Sequence, residues 1–285
     1  MKKRSWILFT VVVLIWSSNW TFMKVGLKFV NPLNLVTQRI ILASIFILPA
    51  LLWRRSLLPK SGEVWFKAIF LSLINAVGMT FSNVGLMFET TGLSSILTYT
   101  QPIFVFCLAV PLLGEKASLA KVLGVILSFL GIATLYADKL YSPSSSPEAL
   151  LFLISGAFLW AVTIVYYKKF LGSLDPFIVN AIQFIFGSVF LLAIALMLGG
   201  VNFSSAPIYI FSLLYMSILG SVIAMTIYLL LVKEEETVIV STSSLMVPAL
   251  ALIFGWFFLK ETMEFYSILG FLLILFGVYI VNKYH

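Results

Sequence analysis

A single cysteine and a single histidine leave this chain almost without metal-ligating or thiol chemistry. Cys107 lies in an apolar run with no second cysteine to pair with, and His285 is the final residue, with no ligand cluster beside it. Charge is scarce as well: Asp, Glu, Lys and Arg supply 10% of 285 residues, against about a quarter in a soluble domain. That is too little polar surface to cover a water-soluble globule. No Gly-rich loop followed by Lys and Ser or Thr is present to hold a nucleotide phosphate, and no paired His, Cys or acid sits inside an apolar run. Hence no catalytic residue, metal or cofactor is expected, and the chain does not read as an enzyme. The net charge of +7 is dispersed in short clusters between apolar runs. That pattern suits loops that orient a membrane chain, and no nucleic-acid partner is expected.

What the chain does have is length of apolar run, with 61% hydrophobic residues. Charged or turn-forming breaks separate segments at 6–26, 33–53, 64–87, 92–113, 118–136, 149–168, 176–198, 207–232, 237–259 and 264–281. Most are near the roughly 20 residues a helix needs to cross about 30 Å of hydrocarbon. The fold class expected is therefore an all-α membrane protein of ten transmembrane helices. Lys2, Lys3 and Arg4 before the first run imitate a signal peptide. That run is of full span length and lacks a small-residue cleavage site, so it reads as a retained first helix.

Comparing the two sides of the Ser- and Pro-rich stretch 138–148 reveals an internal repeat. Trp16, Lys24 and Pro32 recur as Trp160, Lys168 and Pro176; Thr91, Ser95, Pro102, Glu115, Gly124 and Gly131 recur as Thr237, Ser241, Pro248, Glu261, Gly270 and Gly277. Two apolar strings match at Leu and Val by chance, but not at Pro, Glu and Gly in the same order. The expected organisation is a first repeat at 1–137, a linker at 138–148 and a second repeat at 149–285. Five helices per repeat is an odd number, so the second repeat enters the membrane from the opposite side. Inverted repeats of this kind are the architecture of secondary transporters. With the N-terminus in the cytoplasm, thirteen Lys and Arg fall on the cytoplasmic side against Lys24, Lys28, Lys139 and Lys260 outside, with Arg39 left within a span. Both termini are thereby expected inside.

Each half also carries a Pro in its fourth helix (TYTQPIFVF, SLMVPALAL), a Glu-bearing turn (LLGEKAS, FLKETME) and a Gly-spaced fifth helix (VLGVILSFLGIATLY, ILGFLLILFGVYIV). This ordered set, present twice and covering the whole chain, resembles the EamA branch of the drug/metabolite transporter superfamily. The resemblance implies movement of small metabolites by alternating access. It also implies a substrate held at mid-membrane between helices one, three and four and their counterparts six, eight and nine.

On the first helix Trp16, Asn19, Trp20 and Met23 share one face at i, i+3, i+4, i+7. A buried Asn between two indoles must find a partner, either a ligand or a neighbouring helix; both readings stay open. The sixth helix offers Trp160, the twin of Trp16, and Thr163, with Tyr167 expected in the aromatic belt at the interface. Asn75, Met79 and Asn83 on the third helix, and Ser221, Met225 and Tyr228 on the eighth, line a cavity or pack helices together. The fourth and ninth helices are rich in hydroxyls, most of them expected to bond their own backbone; Tyr99 and Gln101 are long enough to reach a cavity, and Ser244 lies just before Pro248.

Among charges, Arg39 lies about 9 Å from the start of its helix. Snorkelling to the interface is its default, and a substrate or coupling role the alternative. Glu89 is a boundary acid of the same double standing, while Lys24 and Lys168 fall at helix C-termini, where they complement the dipole. Gly124, Gly131, Gly270 and Gly277 are expected to join the fifth and tenth helices in a static seam.

With so little internal positive charge, the expected substrates are small neutral, zwitterionic or aromatic metabolites crossing the cytoplasmic membrane. The partners expected are that solute and the lipid bilayer, with a single chain as the working unit. The rival reading is a non-transporting membrane scaffold or receptor.

Overall fold

The computed structural model describes residues 1–88, 94, 97–135, 147–259 and 265–283. In chain order its helices are α1 (Lys3–Gly26), α2 (Pro32–Trp53), α3 (Gly62–Phe88), α4 (Gln101–Leu113), α5 (Leu119–Leu135), α6 (Pro147–Leu171), α7 (Pro176–Met197), α8 (Pro207–Glu234), α9 (Thr237–Ser243), α10 (Met246–Leu259) and α11 (Phe265–Lys283). No strand occurs among the described residues. Six helices, α1, α2, α3, α6, α7 and α8, are long and apolar enough to cross a membrane, and the rest are shorter apolar helices. Large apolar side chains line the outer surface, including Phe66 at 70% and Met197 at 84% exposure. Such a surface belongs in lipid, since a soluble monomer rarely shows an extended apolar face.

Local chemistry repeats with the sequence. Asn31 and Asp175 each cap the helix that follows: Asn31 accepts from the Asn34 N–H at 2.8 Å and Asp175 from the Phe177 N–H at 2.8 Å. In both cases a proline fills the first helical position, where its missing N–H costs nothing. The predicted fourth and ninth spans are not continuous. A turn at 99–100 precedes Pro102, and a turn at 244–245 separates α9 from α10 just ahead of Pro248. Proline donates no hydrogen bond and crowds the carbonyl four residues earlier, so the ladder breaks there. The Thr100 hydroxyl then donates to the Leu97 carbonyl at 2.7 Å, and the Ser244 hydroxyl to the Ser241 carbonyl at 2.6 Å.

The principal packing pairs interchange when the halves are exchanged. Helix α3 packs on α6 as α8 packs on α1, α3 on α7 as α8 on α2, and α4 on α6 as α10 on α1; α2 with α7 and α5 with α11 pair across the repeat. Helices α5 and α11 make the closest of these contacts. A Cβ on Gly124 would come within 2.8 Å of the Gly277 carbonyl oxygen, and one on Gly131 within 2.8 Å of the Gly270 carbonyl oxygen. Only glycine permits that approach of two backbones.

Two expectations about helix ends are corrected. Tyr167 is fully buried rather than at the interface, because α6 closes in a π-helical turn at Tyr167–Leu171 that turns the ring into the core. Lys168 does more than complement its own dipole: its ammonium reaches α8 and donates to the carbonyls of Val232, Lys233 and Glu235 at 2.6, 3.1 and 2.8 Å.

Candidate functional site

Helices α1, α2, α3, α6, α7 and α8, with the segment before α4, surround a cavity of about 160 Å³, comparable with the ~150 Å³ cavity that takes up benzene in an engineered protein. The α1 face of Trp16, Asn19, Trp20 and Met23 forms one wall. Asn75, Met79 and Asn83 of α3 form another, and Tyr99, Trp160, Ser221 and Met225 complete it. The Trp16 ring centroid stands 5.7 Å from that of Trp160, edge to face, and Trp160 lies 6.4 Å from Tyr99. The twin indoles of the two halves thus meet across the cavity.

The π-helical stretch of α8, Met216–Ala224, shapes the far wall. In a π-helix the i to i+5 pairing replaces the usual ladder. Here Gly220 presents its carbonyl to the Trp16 indole N–H at 3.2 Å. The amide of Asn180 on α7 donates to the Ser221 carbonyl at 3.1 Å and to the Thr226 hydroxyl at 2.8 Å. The Ser221 hydroxyl donates to the Met216 carbonyl at 3.1 Å and accepts from Arg39 Nε at 2.9 Å. Arg39 is therefore turned into the bundle and lines the cavity, contrary to the snorkelling expected of it. The partner that draws it inward stands on α8, 182 residues away in sequence.

Four residues expected at the site lie behind its walls. Tyr228, fully buried, supports the indoles with its ring centroid 4.9 Å from Trp16 and 6.3 Å from Trp160. The Gln101 side chain accepts from the Ser241 hydroxyl at 3.1 Å in the contact between α4 and α9. Thr163 donates to the Leu159 carbonyl of its own helix at 2.9 Å, and Ser244 is spent on the break before Pro248. Glu89 lies outside the described residues. Lining residues that the sequence did not single out include Gly78, Gly156, Phe184 and Gly220. A glycine opposite an indole carries no periodic signal of its own.

Toward the end of the bundle that holds the N-terminus the interior is filled. Phe9, Val12, Ile164, Leu229 and Val232 are each at most 1% exposed. Beyond them Glu115 accepts from the N–H groups of Thr237 and Val238 at 2.6 and 3.0 Å, capping α9 from the other half of the chain. Lys121 pairs with Glu236. Glu235 accepts from the Ser5 hydroxyl at 2.6 Å and the Lys2 N–H at 3.0 Å. Burial pushes the Glu235 carboxyl upward, but these two donors and the nearby positive charges outweigh it and hold it below the usual carboxylate range.

The sequence profile of the EamA-like transporter family matches residues 4–137 and again residues 148–283. Among similar proteins, an uncharacterized transporter of Archaeoglobus fulgidus is 31% identical over 99% of this chain and 98% of its own. The uncharacterized transporter YoaV of Bacillus subtilis is 28% identical over 94% and 93% of the two chains. A probable amino-acid metabolite efflux pump of Escherichia coli is 26% identical over 98% and 95%. A solved crystal structure superposes with a TM-score of 0.83 over 99% of this chain and 97% of its own at 17% identity, which speaks to the fold alone.

Proposed function

The chain belongs to the EamA-like transporter family of the drug/metabolite transporter superfamily, so it is a membrane transporter and not an enzyme, and from that premise we propose that it moves small organic metabolites by alternating access. The observation that carries the proposal is the cavity itself. It draws walls from both halves of the chain, is amphipathic throughout, and is sealed on the side of the N-terminus. A few apolar walls with a few placed polar groups are what a small ligand requires.

In this reading the chain crosses the membrane ten times, as two inverted five-helix repeats at 1–137 and 149–285 joined by the linker 138–148. The contacts that interchange between halves support that arrangement, because two near-equivalent packings give two openings of similar energy. The solutes are small zwitterionic, aromatic or neutral metabolites, and the membrane is the cytoplasmic one with both termini inside, following the distribution of Lys and Arg.

The test is flux of labelled solutes into proteoliposomes, with distances between spin labels at both ends of α3 and α8. Flux with anticorrelated opening of the two ends is expected. Simultaneous wide opening would mean a channel, and a folded protein that moves no solute from a broad panel would leave the scaffold reading. Orientation is checked with cysteines in a background lacking Cys107. Labelling of a cysteine at Ser145 only after permeabilisation would reverse it.

A further inference from the structure

Of the polar groups of the cavity left over once its internal bonds are made, two face the same spot. The first is the guanidinium of Arg39. Its Nε is engaged by Ser221, and among the described residues no carboxylate lies within 4 Å of it. The second is Asn19, 8% exposed, whose Oδ1 has no hydrogen-bond partner among the described residues. Between them is bare backbone. A Cβ placed on Gly220 would stand 2.7 Å from Asn19 Oδ1 and 3.3 Å from Arg39 Nη2. Lacking a Cβ, Gly220 lets both groups close onto the α8 backbone, and the three residues together line the cavity as a polar niche beside its aromatic walls.

An unpaired guanidinium inside a membrane protein is expensive, and an anion that pairs with it in good geometry offsets that cost. With Nε occupied, the two Nη groups remain as a fork, the geometry that pairs with both oxygens of a carboxylate. Asn19 Oδ1 calls for a donor next to that carboxylate, such as an ammonium or hydroxyl. The rings of Trp16, Trp20, Tyr99 and Trp160 leave room beyond the niche for a flat or apolar remainder.

Resting on the transporter reading above, we infer that Arg39, Asn19 and Gly220 form a carboxylate-recognition niche that makes this transporter selective for solutes with a carboxylate beside a hydrogen-bond donor. Neutral solutes are then poor substrates, which narrows the class expected from composition. Arg39 is a specificity-determining residue that touches substrate, and Ser221 positions it.

The experiment compares four probes that share a phenyl ring on a two-carbon arm: L-phenylalanine, 3-phenylpropanoate, L-phenylalaninamide and phenethylamine. Binding is followed by thermal shift and uptake by proteoliposome counterflow, in wild type and in Arg39→Gln, Arg39→Lys and Asn19→Leu. In wild type the two acids should bind roughly ten- to a hundredfold more tightly than the amide and the amine, the range of a charge-assisted hydrogen bond. L-Phenylalanine should exceed 3-phenylpropanoate by a smaller factor, and Asn19→Leu should remove that second difference. Arg39→Gln should erase the preference for acids, with Arg39→Lys retaining part of it.

Equal binding and transport of acid and amide by wild type would overturn the niche while leaving the transporter in place. So would an acid preference that survives in folded Arg39→Gln. If Arg39→Gln fails to fold, the wild-type ratio of acid to amide decides alone. Absence of flux and of thermal shift for all four probes would overturn the niche, and absence of flux for the broad panel as well would take the transporter reading with it.

Discussion

At the N-terminal end of the bundle, charged groups are matched: Glu115 with the start of α9, Lys121 with Glu236 and Glu235 with Ser5 across the two halves, and Lys168 with three carbonyls at the end of α8 within the second. Some residues further along α1 and α8 the balance reverses. There Asn19 Oδ1 has no partner among the described residues and Arg39 has one hydroxyl. A polar group that has found its partners within the protein holds helices together. One that has not carries an uncompensated desolvation cost, and where it lines the cavity, as Asn19 and Arg39 do, it can take a partner from outside the chain. The same bundle thus carries a polar clamp at one end and a receptive cavity above it, separated by a plug of Phe9, Val12, Leu229 and Val232.

The largest effect is expected away from both regions, in the seam that lets them move against a fixed frame. Leucine at Gly131 would thrust a side chain into the Gly270 carbonyl oxygen, 2.8 Å from where its Cβ would stand. Gly131→Leu should abolish folded protein, read as loss of the monodisperse peak in detergent; normal yield and melting would show that α5 and α11 are not a rigid pair.

Next comes the clamp. Lys168→Met leaves three carbonyls without their shared donor, costing about 1–3 kcal/mol of the closed arrangement. Spin labels at the N-terminal end should then report a wider population than wild type. An unchanged distance distribution would mean that the plug, and not the clamp, closes this end.

Cavity variants should behave in the opposite way. Trp16→Ala and Trp160→Ala each remove a ring from the wall, weakening solute binding by about 1–2 kcal/mol, roughly 5- to 30-fold. Asn19→Ala removes an unpaired group and should leave melting unchanged or slightly raised while affinity falls. Full apparent affinity in all three, with normal folding, would reduce these stripes to packing.

The smallest effect is a pH dependence confined to the clamp. Glu235 is held below its ordinary value, so its contribution is fully present above about pH 4.3 and is lost as pH falls through the lower folded value. Acidification below pH 4 should loosen the Lys2 and Ser5 contacts in wild type, and Glu235→Gln should abolish that response. Loosening of equal size in both would place the sensitive group elsewhere.

Much of the cavity was readable before folding, because an α-helix puts residues three and four apart on one face. Trp16, Asn19, Trp20 and Met23, or Asn75, Met79 and Asn83, had to look the same way. The stripes failed where the backbone departed from that period or the reach was outward. On α8 the π-helical stretch sets the register of Ser221, Met225 and Tyr228, and the first two line the cavity while Tyr228 stands behind it. Ser244 is spent on the break ahead of Pro248, and the Gln101 carbonyl oxygen is held by Ser241 of α9.

Composition alone was enough to place the chain in a membrane, since 10% charge leaves no other solvent for so apolar a surface. Pairs of Pro, Glu and Gly in register exposed the repeat, because each of those residue types imposes a backbone or charge requirement that two halves share only if they share a fold. Which way Arg39 turned was settled by tertiary structure. Whether a long side chain reaches for water or for a partner depends on what stands opposite it, and Ser221 and Gly220 come from a helix far away in sequence.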